Sequence, residues 1–158
     1  MSREYVTALK DSLDKKLRVL EETFRLCQLQ SDILATDPID YDAFDRLFDD
    51  KDICIQKIAK LDEGFEAVYS RVKEELDADR DSYSSDIAKM QDTIKKITDI
   101  GTRITALEER NKAKVTESIN KDRRKMSEGK RSANVAMNYY KNMSGQQMGE
   151  SRYMDQKN

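Results

Sequence analysis

Histidine and tryptophan are absent from the 158-residue sequence, which has two cysteines, one proline and five glycines. Without histidine the chain lacks the side chain used most often as a general base, and its scattered glycines form no phosphate-binding loop. Cys27 and Cys54 are far apart and form no CxxC pair, so a structural zinc site has no plausible ligand set. We therefore expect no enzymatic activity, no cofactor and no bound metal.

Long apolar runs are also missing. No stretch approaches the roughly 18 apolar residues of a membrane helix. The first residues include Arg3, Glu4, Lys10 and Asp11 where a signal peptide would have an apolar segment. Both cysteines lie in apolar helical patterns, which is typical of buried free thiols in a reducing compartment. We expect a cytosolic protein without a membrane span.

The scarcity of proline and glycine favours long, uninterrupted helices. Charged residues make up 38% of the chain, apolar residues 37% and aromatic residues 7%, a balance that fits an elongated bundle better than a thick globule. The sequence therefore predicts an all-α fold: an elongated antiparallel bundle of three long amphipathic helices, with a short fourth helix or a flexible C-terminal tail.

The first helix is predicted at about residues 3–35. Its main apolar column repeats every seven residues, and a second column beside it makes the stripe wide enough for two neighbouring helices. Pro38 is suited to the first turn of a second helix at about residues 39–79, with Asp37 as its expected N-cap. The columns of the first helix are Val6, Leu13, Leu20, Cys27 and Leu34, and Val19, Leu26 and Ile33.

A turn is predicted at residues 77–86, which are rich in aspartate and serine, although a continuous helix through this stretch remains an alternative. The third helix begins near Ser82 and carries the cleanest heptad of the chain. Beyond Leu107 the apolar stripe thins, so we expect the helix to leave the bundle or fray there. The heptad residues are Tyr83, Ile87, Met90, Ile94, Ile97, Gly101 and Ile104.

The C-terminal region has a different character. We expect a bundle at residues 1–126 and a mobile tail at 127–158, with a short helix at about 132–143. The tail is rich in methionine and tyrosine, which provide adaptable apolar area at binding surfaces, and it lies outside the clean heptad. A tail without any role is the plain alternative. The candidate partner-binding residues are Val135, Met137, Tyr139, Tyr140, Met143 and Tyr153.

Charge is unevenly distributed along the chain. Residues 37–86 include 16 acidic and 7 basic residues, and residues 110–131 include 9 basic and 3 acidic residues. Solvated helix faces explain both segments most simply, and a basic patch for an acidic partner is the sharper interpretation. We do not expect nucleic-acid binding, because the basic segment has no interleaved aromatic residues.

Several segments resemble Firmicute flagellar export chaperones of the FlgN/FliT type. The resemblance covers roughly positions 40–158. The segments that carry it are LFDDKDI at 47–53, IAKLDEGFE at 58–66, YSRVK at 69–73, ITALEERNK at 104–112, YYKN at 139–142 and SRYMDQK at 151–157.

This resemblance implies an antiparallel helical chaperone that binds the helical C-terminal part of a late flagellar subunit, either a hook–filament junction protein or the filament cap. The chaperone keeps that subunit from aggregating and delivers it to the type III export gate. Family partner binding lies largely in the C-terminal helices, which implies a role for the tail candidates. A coiled-coil adaptor that oligomerises other proteins is the alternative function, and the oligomeric state stays open.

Overall fold

The computed structural model describes residues 2–121 and 136–141. Three long helices form the fold: α1 at Ser2–Leu34, α2 at Tyr41–Ala78 and α3 at Ser84–Lys121. Residues 136–141 form a short helix, α4. The described residues contain no strand, and none of their helices is long and apolar enough to cross a membrane. The predicted all-α bundle with a short fourth helix is confirmed.

Two turns divide the three long helices. The first spans residues 35–40, and Asp40 rather than Asp37 is the N-cap of α2, because its Oδ1 accepts a hydrogen bond from the Ala43 backbone N–H at 3.1 Å. The expectation for Asp37 was therefore wrong by three residues. The second turn spans residues 79–83, so α2 and α3 are separate helices, as the aspartate-rich and serine-rich stretch predicted.

The long helix α1 packs against both α2 and α3. Its antiparallel register with α2 is marked by an ion pair of 2.8 Å between Lys16 Nζ and Asp62 Oδ1. The helix α3 runs parallel to α1, and Asp86 near its start accepts from Arg3 and Lys10 at 2.6 and 2.7 Å. The wide apolar stripe of α1 thus serves two neighbours, as its two columns predicted.

The core follows the seven-residue columns. All seven residues of the α3 heptad from Tyr83 to Ile104 are buried. The same helix continues in the bundle beyond Leu107, where Asn111 and Val115 are buried as well. The expected departure of α3 from the bundle is therefore wrong within the described residues. A polar asparagine stays in the core because its Nδ2 donates to the Cys27 carbonyl oxygen at 3.1 Å.

Part of the C-terminal region belongs to this core. Ala136, Tyr139 and Tyr140 of α4 are buried in one apolar cluster with Leu34, Phe44, Phe48 and Val115. The sequence had suggested that apolar residues past 132 stand outside the bundle core, and for these three residues that was wrong. The division into a bundle at 1–126 and a mobile tail at 127–158 stays a prediction, because most of that tail lies outside the described residues.

Candidate partner-binding site

The site lies at the end of the bundle near the turn between α1 and α2, where α4 is docked. Ala136, Tyr139 and Tyr140 are buried, whereas Asn138 and Lys141 are exposed. Residues three and four positions apart share one face of a helix, so α4 is amphipathic and turns its apolar face toward the bundle. Its docking surface is formed by side chains of α1, α2 and α3, and we call this surface the α4 groove.

Aromatic rings form one wall of the α4 groove. The Tyr139 and Tyr140 rings lie 4.7 and 6.0 Å from the Phe48 ring, between centroids. Phe48 in turn contacts Phe44 edge-to-face at 5.0 Å. Tilted and edge-to-face rings at these separations are favourable and bury a large apolar area. This wall explains why two adjacent tyrosines can be held on a bundle by a helix as short as α4.

The floor of the groove is a buried lysine. The Lys51 side chain is wholly inaccessible to solvent, and its Nζ donates to Gln30 Oε1 at 2.5 Å and to Glu108 Oε1 at 2.6 Å. The same Nζ lies 4.2 Å from the centre of the Tyr139 ring. An ammonium over an aromatic face is attracted by the ring quadrupole, and more strongly where water is excluded. The Tyr139 ring therefore covers the buried positive charge of Lys51.

Glu108 of α3 completes a buried polar cluster with Lys51, Gln30 and Cys27, which we call the polar centre. Its Oε1 also accepts a hydrogen bond from the Cys27 thiol at 3.1 Å. Burial raises the pKa of the Cys27 thiol well above its usual range, while the nearby Lys51 charge opposes that shift. The thiol is consequently protonated and acts as a hydrogen-bond donor, not as a nucleophile.

Tyr139 lies against the same ion pair, with its ring over the Lys51 ammonium. Burial raises the pKa of Tyr139 strongly, and the negative charge of Glu108 acts in the same direction. The phenol is therefore neutral where it covers the ion pair. The pKa of Tyr140 is raised by burial and by the Glu108 charge.

The polar centre was missed at the sequence level, although its signal is visible in the heptads. Lys51 fills the gap in the seven-residue column of Phe44, Ile58, Phe65 and Val72. Glu108 continues the α3 column that includes Ile87, Ile94 and Gly101. Charged residues are almost never fully buried unless paired, so opposite charges at core positions of two helices indicate a buried pair.

The structure brings together some of the predicted site residues. Tyr139 and Tyr140 lie side by side in the groove, and Met137 is partly buried. Val135, Met143 and Tyr153 lie outside the described residues. Within those residues no cluster of three or more acidic or cysteine side chains could hold a metal ion. What the arrangement can do is bind one face of an amphipathic helix.

Comparison with known protein families gives a match over most of the chain. The family model described as FlgN protein matches residues 1–147. No curated protein and no solved structure matches the chain. The match extends over nearly the whole sequence and includes α1, α2, α3 and α4. The all-α bundle agrees with this assignment, and the chain therefore belongs to the FlgN family of flagellar export chaperones.

Proposed function

We propose that this protein is a cytosolic chaperone that binds a late flagellar subunit, a hook–filament junction or filament-cap protein, and delivers it to the type III export apparatus. The family match supports the general role. The observation that carries the client-binding step is the docking of α4, because it identifies a groove that accepts the apolar face of an amphipathic helix. A helix of the subunit would bind there in the same way.

The position of α4 favours a tail that covers the groove over a tail that only adds contacts to a bound client. Tyr139 and Tyr140 occupy the groove in the free chain. A client helix that uses the same surface must first displace them, and the affinity measured for the client is reduced by the free energy of that displacement. The tail thus keeps an apolar surface covered until a client arrives.

Calorimetric titration of a purified hook–filament junction protein tests this proposal. The double variant Tyr139→Ala/Tyr140→Ala weakens α4 docking without altering the bundle side of the groove, and Lys141→Ala, at an exposed position of α4, is the matched control. We expect the double variant to bind the subunit about 10-fold more tightly than the parent chain. A weaker affinity would mean that the tyrosines contact the client directly. Unchanged affinity would remove the groove as the client site.

The adaptor alternative is less well supported. An oligomerising coiled coil needs an apolar seam directed outward, whereas the columns of α1, α2 and α3 are buried against each other within one chain. Sedimentation of the free protein separates the two functions. An adaptor would sediment as an oligomer whose mass rises with concentration, and a chaperone with an internal core would form a defined species alone and a defined complex with its client.

A further inference from the structure

The hydrogen bonds of the buried lysine under α4 satisfy it only in part. An ammonium carries three N–H groups. The Lys51 Nζ donates to oxygen atoms of Gln30 and Glu108 at 2.5 and 2.6 Å. Its contact with the Cys27 sulfur is 3.7 Å long and involves a weak acceptor. Because Lys51 is wholly inaccessible to solvent, the groups that pack over it decide how well the rest of its positive charge is stabilised.

Three aromatic rings lie close to this ammonium. The ring centres of Tyr139, Phe48 and Tyr140 are 4.2, 5.0 and 5.9 Å from the Lys51 Nζ. All three distances are within the range of about 6 Å over which the face of a ring attracts a cation. Phe48 belongs to α2 and stays with the bundle, whereas both tyrosines belong to α4. The groove therefore contributes the charge and one ring, and its occupant contributes the other two, including the nearest.

The attraction between the ammonium and a ring depends on the quadrupole of the π-system. Phenylalanine and tyrosine both have this quadrupole, and aliphatic side chains of similar size lack it. A leucine over Lys51 would bury the same charge beneath a cover that offers no electrostatic compensation. The floor of the groove thus favours an aromatic occupant over an aliphatic one by more than the difference in buried area.

We propose that the α4 groove is an aromatic-recognition site, in which an aromatic side chain on an amphipathic client helix replaces the Tyr139 ring over Lys51. This inference rests on the proposed chaperone function and adds the chemistry of the partner. Phenylalanine and tyrosine both serve at that position, because the ring is the group that faces the charge. An amphipathic helix with only aliphatic residues on its apolar face binds less tightly.

Hydrogen exchange of the α4 backbone amides in the full chain tests this chemistry. Tyr139→Phe and Tyr139→Leu both lack the hydroxyl, so the comparison between them reports the ring. We expect the α4 amides of Tyr139→Leu to exchange about 10-fold faster than those of Tyr139→Phe, because only phenylalanine keeps an aromatic face over Lys51. Equal exchange in the two variants would overturn the proposal.

A neutral floor separates the effect of the charge from the area of the ring. The same two variants are made in a chain that also carries Lys51→Met and Glu108→Leu, where no ammonium lies under position 139. There the difference between phenylalanine and leucine should shrink to less than about 3-fold. The amides of α1, α2 and α3 show in the same measurement that the bundle is folded. An undiminished difference would mean that area alone favours the aromatic residue, and the proposal would fail.

A second experiment links the pocket to the client. The aromatic residues of the purified hook–filament junction protein are replaced by leucine one at a time, and each variant is titrated into the Tyr139→Ala/Tyr140→Ala chain. We expect one replacement to weaken binding about 10-fold. The same replacement should have less than about a 3-fold effect when the chain also carries the neutral floor.

The outcomes separate the two proposals. A subunit that binds, but whose aromatic residues can all be replaced without this charge-dependent loss, overturns the client's use of the pocket and leaves the proposed function standing. A subunit that does not bind the chain at all overturns the proposed function, and the client's use of the pocket fails with it. The exchange measurements on α4 need no client, so they decide independently whether the groove prefers an aromatic ring.

Discussion

Lys51 of α2 and Glu108 of α3 form an ion pair of 2.6 Å in which both side chains are buried. Breaking a buried pair by removing one partner leaves an uncompensated charge and costs about 3–5 kcal/mol. We therefore expect Lys51→Met to lower the free energy of unfolding by about that amount. The double variant Lys51→Met/Glu108→Leu should recover most of the loss, as measured by urea denaturation in a double-mutant cycle.

An exposed ion pair provides the control for this cycle. Lys121 and Glu117 lie one turn apart on the solvent face of α3 and are 2.8 Å apart. Lys121→Ala should leave the free energy of unfolding unchanged within error, because water screens such pairs. A double variant as unstable as Lys51→Met alone would contradict the assignment of the loss to an unpaired charge.

The tail contributes to stability, but only up to the free energy of its own docking. Phe44→Ala truncates a fully buried ring of α2 and should cost about 3–5 kcal/mol. Tyr139→Ala should cost less, about 1–2 kcal/mol, because α4 can leave the groove while the three long helices stay folded. The comparison is made by urea denaturation, and equal losses would show that α4 unfolds only with the whole bundle.

The packing of α3 predicts that alanine substitutions lower the free energy of unfolding further along the helix than the sequence led us to expect. Ile94→Ala and Ile97→Ala should each cost about 2–5 kcal/mol. Val115 is wholly buried, so Val115→Ala should cost about 1–3 kcal/mol although it lies where the stripe appears thin. The exposed Ile53 is the control, and its alanine variant should unfold like the parent chain. A negligible loss at Val115 would mean that α3 leaves the bundle after Leu107.

Acid should release the contact between the start of α1 and α3. Hydrogen bonding from Lys10 lowers the pKa of Asp86, with burial opposing this shift and the Arg3 charge adding to it. A carboxyl whose pKa is lower in the folded state stabilises the protein above its unfolded pKa, near 4, and loses that contribution as pH falls through the folded value. Asp86→Asn should therefore cost about 1 kcal/mol at pH 7.

The difference between parent and Asp86→Asn should shrink as pH falls below about 4. Urea denaturation at a series of pH values measures it. Asp92→Asn removes a carboxylate from an exposed pair with Lys96 and should show no comparable trend. A difference that stays constant down to pH 2 would show that the carboxylate charge of Asp86 does not stabilise the fold.

Gly64 offers a stabilising substitution. It lies inside α2, and a methyl group added there would meet nothing within 4 Å. Gly64→Ala should therefore raise the free energy of unfolding by about 0.5–1 kcal/mol through the lower conformational freedom of the unfolded chain. Thermal denaturation measures this, and a lower melting temperature would contradict the open environment.

Seven-residue columns were enough to predict the helices, because packing of an apolar stripe is the main determinant of a bundle. They located α1, α2 and α3 and the turns between them. The columns did not predict the burial of Asn111 and Val115. A pattern of apolar residues alone makes a stripe seem to end at an asparagine, even where that asparagine is buried and hydrogen-bonded. They failed also for Asp40, since three nearby aspartates and one proline allow several N-caps.

The candidate site was predicted only in part. Tyr139 and Tyr140 were named from composition, but their place in the core depends on α4 folding back onto residues far earlier in the chain. Periodicity within one helix carries no information about such a contact. Lys51 and Glu108 were overlooked because charged residues were assigned to solvated faces, and only their positions within apolar columns indicate burial.

The order of elements along the chain has a consequence for protein synthesis. The residues that form the α4 groove, from Gln30 to Val115, all precede α4 in the sequence. Translation proceeds from the N-terminus, and helices that have emerged can pack before later residues are made. The ribosome therefore produces an open groove first and its own occupant last. Under the function proposed above, the nascent chain would therefore offer this groove to a subunit before α4 is present to compete for it.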